Sequence, residues 1–328
     1  MEPTEIILVS LYFLVFFLLW ALLAALKRFR KDVSEEVAGG ILGLLKGVIV
    51  LVIAITSMPV LGLNFGLDFT GGMLIEVSYP SAPQISEVRA NLESAELDDA
   101  VVQTFGTASD IVVRVPPRSE EESDAELSTV VLGALQQGVE GDIVMRRVEF
   151  VGPQVGEELT EQGILAVVYA LIGIFLYVMF RFQWRFSVGA VVALIHDVII
   201  SMGILSLLQI EFDLTVVAAL LAVIGYSLND TIVLFDRIRE NFPRLRKGSP
   251  VEVVNTSVNE TLSRTLMTSM TTLLVLVALF VFGGEIIHAF AFTLIVGVLV
   301  GTYSSIYVAS STLLYLGVSK YDLLQVEK

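Results

Sequence analysis

Residues 187–210 read SVGAVVALIHDVIISMGILSLLQI, an apolar run interrupted at its middle by the adjacent pair His196-Asp197. A bilayer core of about 30 Å takes roughly 20 apolar residues in helical form, so this stretch is long enough to span one. At about 1.5 Å per residue, the pair lies some 15 Å from the nearer end, close to the bilayer centre. A charge there costs at least about 2.5–3.5 kcal/mol, and such residues face a bundle interior or a water-filled cavity, where they mark ion or proton paths. An acid in that place is suited to changing protonation state, because burial favours the neutral form and an approaching cation the charged one. Asp197 is therefore the leading proton-pathway candidate. The plainer alternative is a neutral Asp197 hydrogen-bonded for packing alone, and for His196 that reading weighs as much as a functional one.

Six further stretches match this one in apolar length, at 6–25, 45–62, 164–180, 214–235, 266–282 and 286–316. With 55% hydrophobic residues, 17% charged residues and a mean hydropathy of +0.79, the chain is too apolar for one water-soluble globule. The first stretch is flanked by Glu2 and Glu5, with the basic cluster after it, which argues for a retained span rather than a cleaved leader. The span at 214–235 ends in Gly225-Tyr226-Ser227-Leu228-Asn229-Asp230-Thr231, with Asp236 and Arg237 beyond it. Asn229 and Asp230 lie inside the apolar segment and are supporting candidates. Arg237, two turns from Asp230 on one helical face, sits near the interface, where anchoring explains it equally well. In the sixth stretch Thr268, Thr271 and Thr272 share a face and are able to bond across a helix interface; interhelical glue is at least as strong a reading as a proton relay. Gly297, Gly301, Ser304 and Ser305 form a small-residue stripe in the last span, read as packing.

The interval 64–162 is the part polar enough to fold in water. It holds 19 Asp or Glu against five Arg, so nearly all of the chain's net charge of −15 resides there, which argues against nucleic acid as a partner. Met73 to Tyr79 alternates as a strand, 84–94 has helical spacing, 100–105 and 111–115 read as two strands about a turn, 120–137 is helical with Leu127, Val131, Ala134 and Leu135 on one face, and 143–151 is a last strand. The order β-α-β-β-α-β is that of a ferredoxin-like split sandwich. The fifteen basic residues outside this interval fall on one side of seven alternating spans, opposite Glu211, Asp213 and Glu285. The positive-inside rule then places the basic side and the C-terminus in the cytosol and 64–162 outside. With no cysteine, disulfides and thiolate chemistry are excluded. The phosphate-cradling Gly-Lys-Ser/Thr loop does not occur, and no residue set for covalent chemistry, metal or cofactor appears, so an enzyme is not expected.

Two motifs flank the outer interval: Gly66-Leu67-Asp68-Phe69-Thr70-Gly71-Gly72 before it and Val151-Gly152-Pro153-Gln154-Val155-Gly156 after it. Glycines at a membrane exit let the backbone turn sharply, and Asp68 is placed to cap or pair at the junction. With His196-Asp197 and the 225–241 run, these motifs resemble the SecD/SecF protein-export family in its SecF form, from about residue 41 to the C-terminus. The resemblance implies six spans of the resistance-nodulation-division type, in a bacterial inner membrane, with a ferredoxin-like periplasmic domain. It implies partnership with SecD and the SecYEG channel, with YajC, YidC and SecA as further candidates. It also implies that protons drive the late movement and release of an unfolded polypeptide. Carried onto this chain, Asp197 leads the proton pathway, with His196, Asn229, Asp230 and Arg237 supporting.

The expected division is 1–40, an extra span and basic loop that depart from the family pattern; 41–63, the first core span; 64–162, the outer domain; 163–316, a five-helix membrane domain; and 317–328, a cytosolic tail. A small-molecule or lipid exporter of the same superfamily, or a non-conducting scaffold of the translocase, are the competing readings.

Overall fold

A computed structural model describes residues 35–117, 124–139, 141–245 and 248–319. The span expected at 6–25 and most of the C-terminal tail lie outside the described residues.

The chain reaches a domain that stands outside the helix bundle, the outer domain, through helix α1 (Glu35–Leu61), whose apolar part is Gly47–Leu61. A two-residue strand β1 (Asn64–Phe65) and one helical turn α2 (Leu67–Thr70) follow. The outer domain then runs β2 (Gly72–Ser78), α3 (Ile85–Ser94), β3 (Val101–Phe105), β4 (Thr107–Val115), α4 (Asp124–Gln136) and β5 (Val144–Val151). Its sheet has the order β3-β4-β2-β5, every neighbouring pair antiparallel.

Alternation along the strands explains why the helices cover one face. Met73, Ile75 and Val77 of β2, with Ile111, Val113 and Val115 of β4, meet Val88 and Leu92 of α3 and Leu127, Val131, Ala134 and Leu135 of α4. Each such side chain, fully buried, contributes about 1.5–3 kcal/mol. Tyr79 closes the core by donating its hydroxyl to the Leu135 carbonyl at 3.1 Å, and burial pushes its phenol up to about 12.

The membrane domain comprises α5 (Pro153–Arg181), α6 (Trp184–Leu208), the two-residue strand β6 (Glu211–Phe212), α7 (Leu214–Arg244), α8 (Pro250–Phe282) and a last span built in pieces. The pieces are a 3-10 turn Glu285–Ile287, α9 (His288–Ser304), a π turn Ser305–Ala309 and α10 (Ser310–Tyr315). Among the described residues, five helical segments are long and apolar enough to cross a membrane, counting His288–Tyr315 as one, and the apolar part of α1 is shorter. This is a multi-pass membrane architecture. α6 and α7 lie innermost, α5 is mostly exposed, and α1 packs along α6, where Ser57 donates to the Gly203 carbonyl at 3.1 Å.

Local chemistry sets bounds that hydropathy alone misplaces. α5 begins at 153 rather than 164, because Gly152 caps a helix whose first residue is Pro153. α8 begins at 250 rather than 266, because Ser249 and Glu252 form a capping box ahead of a polar first half. The apolar run at 286–316 is broken by a 3-10 turn at its start and a π turn near its end.

Candidate proton site and outer joint

Asp197 is completely buried. Its Oδ2 accepts from Ser227 Oγ of α7 at 2.6 Å and from Ser304 Oγ of α9 at 2.7 Å, while Oδ1 lies 3.0 Å from Nδ1 of His196. Three helices converge on one carboxyl because glycines let them. A Cβ on Gly301 would lie 3.0 Å from that of Ser227, and one on Gly297 would overlap Val223. The π turn that follows Ser304 is of the kind often found at functional sites. His196 stacks on Tyr303, with centroids 6.1 Å apart, and its Nε2 has no partner within the described chain. Buried in hydrogen-bonding contact with hydroxyls and an imidazole, the carboxyl is surrounded by groups able to hold a proton or pass one on.

The supporting candidates separate. Asp230 is buried one turn along α7 from Ser227, and its Oδ2 meets no partner within the described residues; Tyr226 and Thr231 present similarly unmatched hydroxyls nearby on the same helix. Asn229, by contrast, is exposed, since one residue turns a helix by about 100° and carries it off the face that Asp230 shares with Ser227. Arg237 does not meet Asp230. It pairs through Nε with Glu260 of α8 at 2.6 Å and through a terminal nitrogen with Glu240 at 2.9 Å. Asn241 donates to the same Glu260 at 2.7 Å, and Arg181 of α5 reaches Asp236 at 3.1 Å. Glu260, which sequence reading missed, ties together the ends of α7 and α8 opposite the outer domain. The signal was a lone acid in a polar helical stretch, indistinguishable from a solvated surface.

Thr268, Thr271 and Thr272 do not bond across an interface. Each hydroxyl closes on carbonyls of its own helix three or four residues back. The cross-helix contact belongs to Ser269, which meets Thr302 of α9 at 2.7 Å, because that residue faces the bundle while Thr268 and Thr271 face outward. Ser304 also departs from expectation: read as packing, it is a direct partner of Asp197.

The two glycine motifs form one joint. Gly71 and Gly72 have φ of +67° and +110°, and a Cβ on Gly71 would lie 3.1 Å from the Val151 carbonyl and from Pro153. Gly156 fits against the Phe69 carbonyl, 3.0 Å from where its Cβ would stand, and a Cβ on Gly72 would overlap the Val115 carbonyl. Backbone packs on backbone, which only glycine allows. Asp68 accepts from the Leu214 amide at 2.9 Å, so it caps α7 together with Asp213, which accepts from Val216 at 2.8 Å. Gly152 has open space around it and serves as the cap residue before Pro153.

The C-terminal model of the protein export membrane proteins SecD and SecF matches residues 131–319, and the SecD/SecF GG motif matches 56–79, which contains the first of these glycine runs. The chain is 52% identical over 283 residues to a protein translocase subunit SecF of Vibrio alginolyticus, covering 86% of this chain and 90% of that one. It is 53% identical to the SecF of Pseudomonas aeruginosa, covering 84% and 89%. Among solved structures it resembles SecDF of Thermus thermophilus, a translocon-associated membrane protein, with a TM-score of 0.76 and 37% identity over 86% of this chain, which spans 38% of that longer polypeptide. On sequence, motif and fold together, the chain belongs to the SecD/SecF family of protein export membrane proteins, among its SecF members.

Proposed function

We propose that this chain works with a SecD subunit in a bacterial inner membrane, beside the SecYEG channel, to turn proton flow into late movement and release of exported polypeptide. The observation that carries the reading is the enclosure of Asp197, a carboxyl with three hydrogen-bonding partners from its own and two other helices, at the midplane of a span. A bundle built for packing alone gains little from such a group, because replacing buried polar networks by apolar side chains is often neutral or stabilising. Asp230 is a second buried carboxyl on the same helix as Ser227 and the natural next station; His196, with a ring nitrogen that meets no partner among the described residues, is a further one.

The outer domain, in this reading, is a ferredoxin-like sandwich on the periplasmic side. Its strand order β3-β4-β2-β5 with both helices on one face supports that. The six-span core with an extra N-terminal span, the cytosolic C-terminus and the division at 41–63, 64–162 and 163–316 belong to the same proposal. Support comes from the basic residues clustering opposite the outer domain. YajC, YidC and SecA are candidates for the wider assembly on family resemblance.

The test is Asp197→Asn in the full chain with its co-expressed SecD, measuring export into inverted membrane vesicles with and without a proton gradient. Loss of the gradient-dependent part alone is expected. Export that keeps its full gradient dependence would sink the proton reading and leave a translocase scaffold.

A further inference from the structure

One helix joins the midplane carboxyl to the outer domain. α7 presents Ser227 to Asp197, and thirteen residues earlier, about 20 Å along the axis, its first amide is held by Asp68 of the glycine joint. Just before α7, Glu211 of β6 forms an ion pair with Arg114 of β4, in the sheet of the outer domain. β6 is itself stitched to β1, and the Gly66 amide donates to the Phe212 carbonyl at 2.8 Å. Glu211 also lies so near Gly66 that a Cβ there would stand 2.9 Å from its Oε1. Beside these contacts, sheet and bundle are separated by a cavity of about 560 Å³. The outer domain is therefore held at a few points, the glycine joint against the start of α5 and these contacts at the start of α7, rather than across a packed face.

We propose that the Arg114–Glu211 pair is a latch through which the proton load of Asp197, transmitted along α7, sets how the outer domain is held to the bundle. This rests on Asp197 being the proton-carrying group. A carboxylate holds hydroxyl donors roughly twice as strongly as a neutral acid does, so a protonated Asp197 grips Ser227 and Ser304 less and releases α7 to shift. A shift of α7 moves Glu211 and the Asp68 cap together, because Glu211 stands just before its first turn and Asp68 holds its first amide.

The latch also faces charge from other elements: Asp68 on α2, Asp213 at the cap of α7, Glu76 on β2, and Arg147 and Glu149 on β5 line the same cavity. Burial raises the Glu211 carboxyl above the usual glutamate value against the pull of Arg114, with Asp213 and Asp68 adding to the rise. A group so raised takes up its proton sooner as pH falls, so an acidic exterior favours the open latch.

The chain has no cysteine, so a cysteine pair reports alone. Gln103→Cys on β3 and Ile286→Cys before α9 stand on opposite walls of the cavity and outside the latch. In membrane vesicles carrying the full chain with its partner subunit, a short bis-maleimide bridges them, and yield is normalised to single-cysteine labelling. Asp197→Asn is expected to change the yield about fivefold or more, the low end of ordinary coupling between sites. Arg114→Gln should change it in the same direction, and the two together no further. Ser227→Ala, which removes the α7 contact and keeps the acid, should reproduce the effect if Asp197→Asn fails to accumulate. An unchanged yield in both Asp197→Asn and Ser227→Ala, with Arg114→Gln still altering it, overturns the latch while leaving the proton reading standing. Full gradient-driven export by Asp197→Asn overturns the underlying reading instead.

Discussion

Gly301 of α9 faces Ser227 of α7 so closely that a methyl group added to the glycine would lie 3.0 Å from the serine Cβ. That approach brings Ser227 and Ser304 onto the same oxygen of Asp197. Gly301→Val is expected to force the helices apart, with about 1–3 kcal/mol of destabilisation from overpacking and loss of most gradient-driven export. Gly301→Ala should cost less. Thermal unfolding of the detergent-solubilised complex, alongside vesicle export, checks both.

Ser227 and Ser304 share Oδ2, so their contributions are coupled rather than additive. Each single change to alanine removes one hydrogen bond to the Asp197 carboxyl, worth about 0.5–1.5 kcal/mol to a neutral acid and about 1.5–3 kcal/mol to a carboxylate. Gradient-driven export should fall about tenfold in each, and the double variant should fall by less than the product of the two. A double variant equal to the product would show that the hydroxyls act independently.

At the joint, Gly72 combines a φ of +110° with a position where a Cβ would overlap the Val115 carbonyl. Gly72→Ala is expected to destabilise by about 1–3 kcal/mol from backbone strain and to reduce accumulation in the membrane. Gly152→Ala, with open space around the residue, serves as the contrast and should accumulate normally.

Glu260 receives Arg237 and Asn241 at 2.6 and 2.7 Å, but it is partly exposed. Glu260→Gln should therefore cost little, because solvent screens the pair. High salt should weaken the wild-type chain toward the variant, since screening acts on the same charges. Melting curves at two ionic strengths decide this, and a large drop in melting temperature that salt does not change would mean the pair is effectively buried.

Tyr79 titrates normally at 10.0 and is pushed by burial to about 12 in the folded outer domain. A raised value means that the folded state holds its proton after the unfolded state has lost it. The stabilisation is thus complete below pH 10.0 and is lost as pH rises toward about 12. Alkaline unfolding followed by tyrosinate absorbance should show that loss, and Tyr79→Phe should remove this part of it, with about 1 kcal/mol lost at neutral pH with the hydrogen bond to Leu135.

What sequence conveyed well was whatever depends on periodicity. The succession of strands and helices along the outer domain and the core face of α4, with Leu127, Val131, Ala134 and Leu135, follow from alternation and helical spacing and agree with the structure. Asp197 was legible because an acid in a long apolar run has few places to go. Its partners were not: a serine in an apolar helix reads the same whether it packs or donates, and helix rotation is fixed by tertiary contact. The same limit explains Asn229, one position off the right face, and the threonines of α8, whose hydroxyls are satisfied by their own backbone. Glu260 and Arg114 were hidden for a different reason, since a charge in a polar stretch is ordinary until its partner is known. Helix bounds at 153 and 250 were carried by caps, which hydropathy does not register.

β2 begins at Gly72 and β5 ends at Val151, and these two residues are paired neighbours in one sheet. The 72–151 segment thus leaves the bundle and returns to it at a single spot. For the helices on either side it is an inserted cassette, and insertions with adjacent ends disturb their host little. Natural variation in the size or surface of this cassette is accordingly free of the constraints on the bundle, provided the glycines at its ends and the arginine that meets Glu211 are kept. A foreign domain with similarly adjacent termini, spliced between the same two residues, would leave the helices inserted and folded while silencing whatever the native segment does.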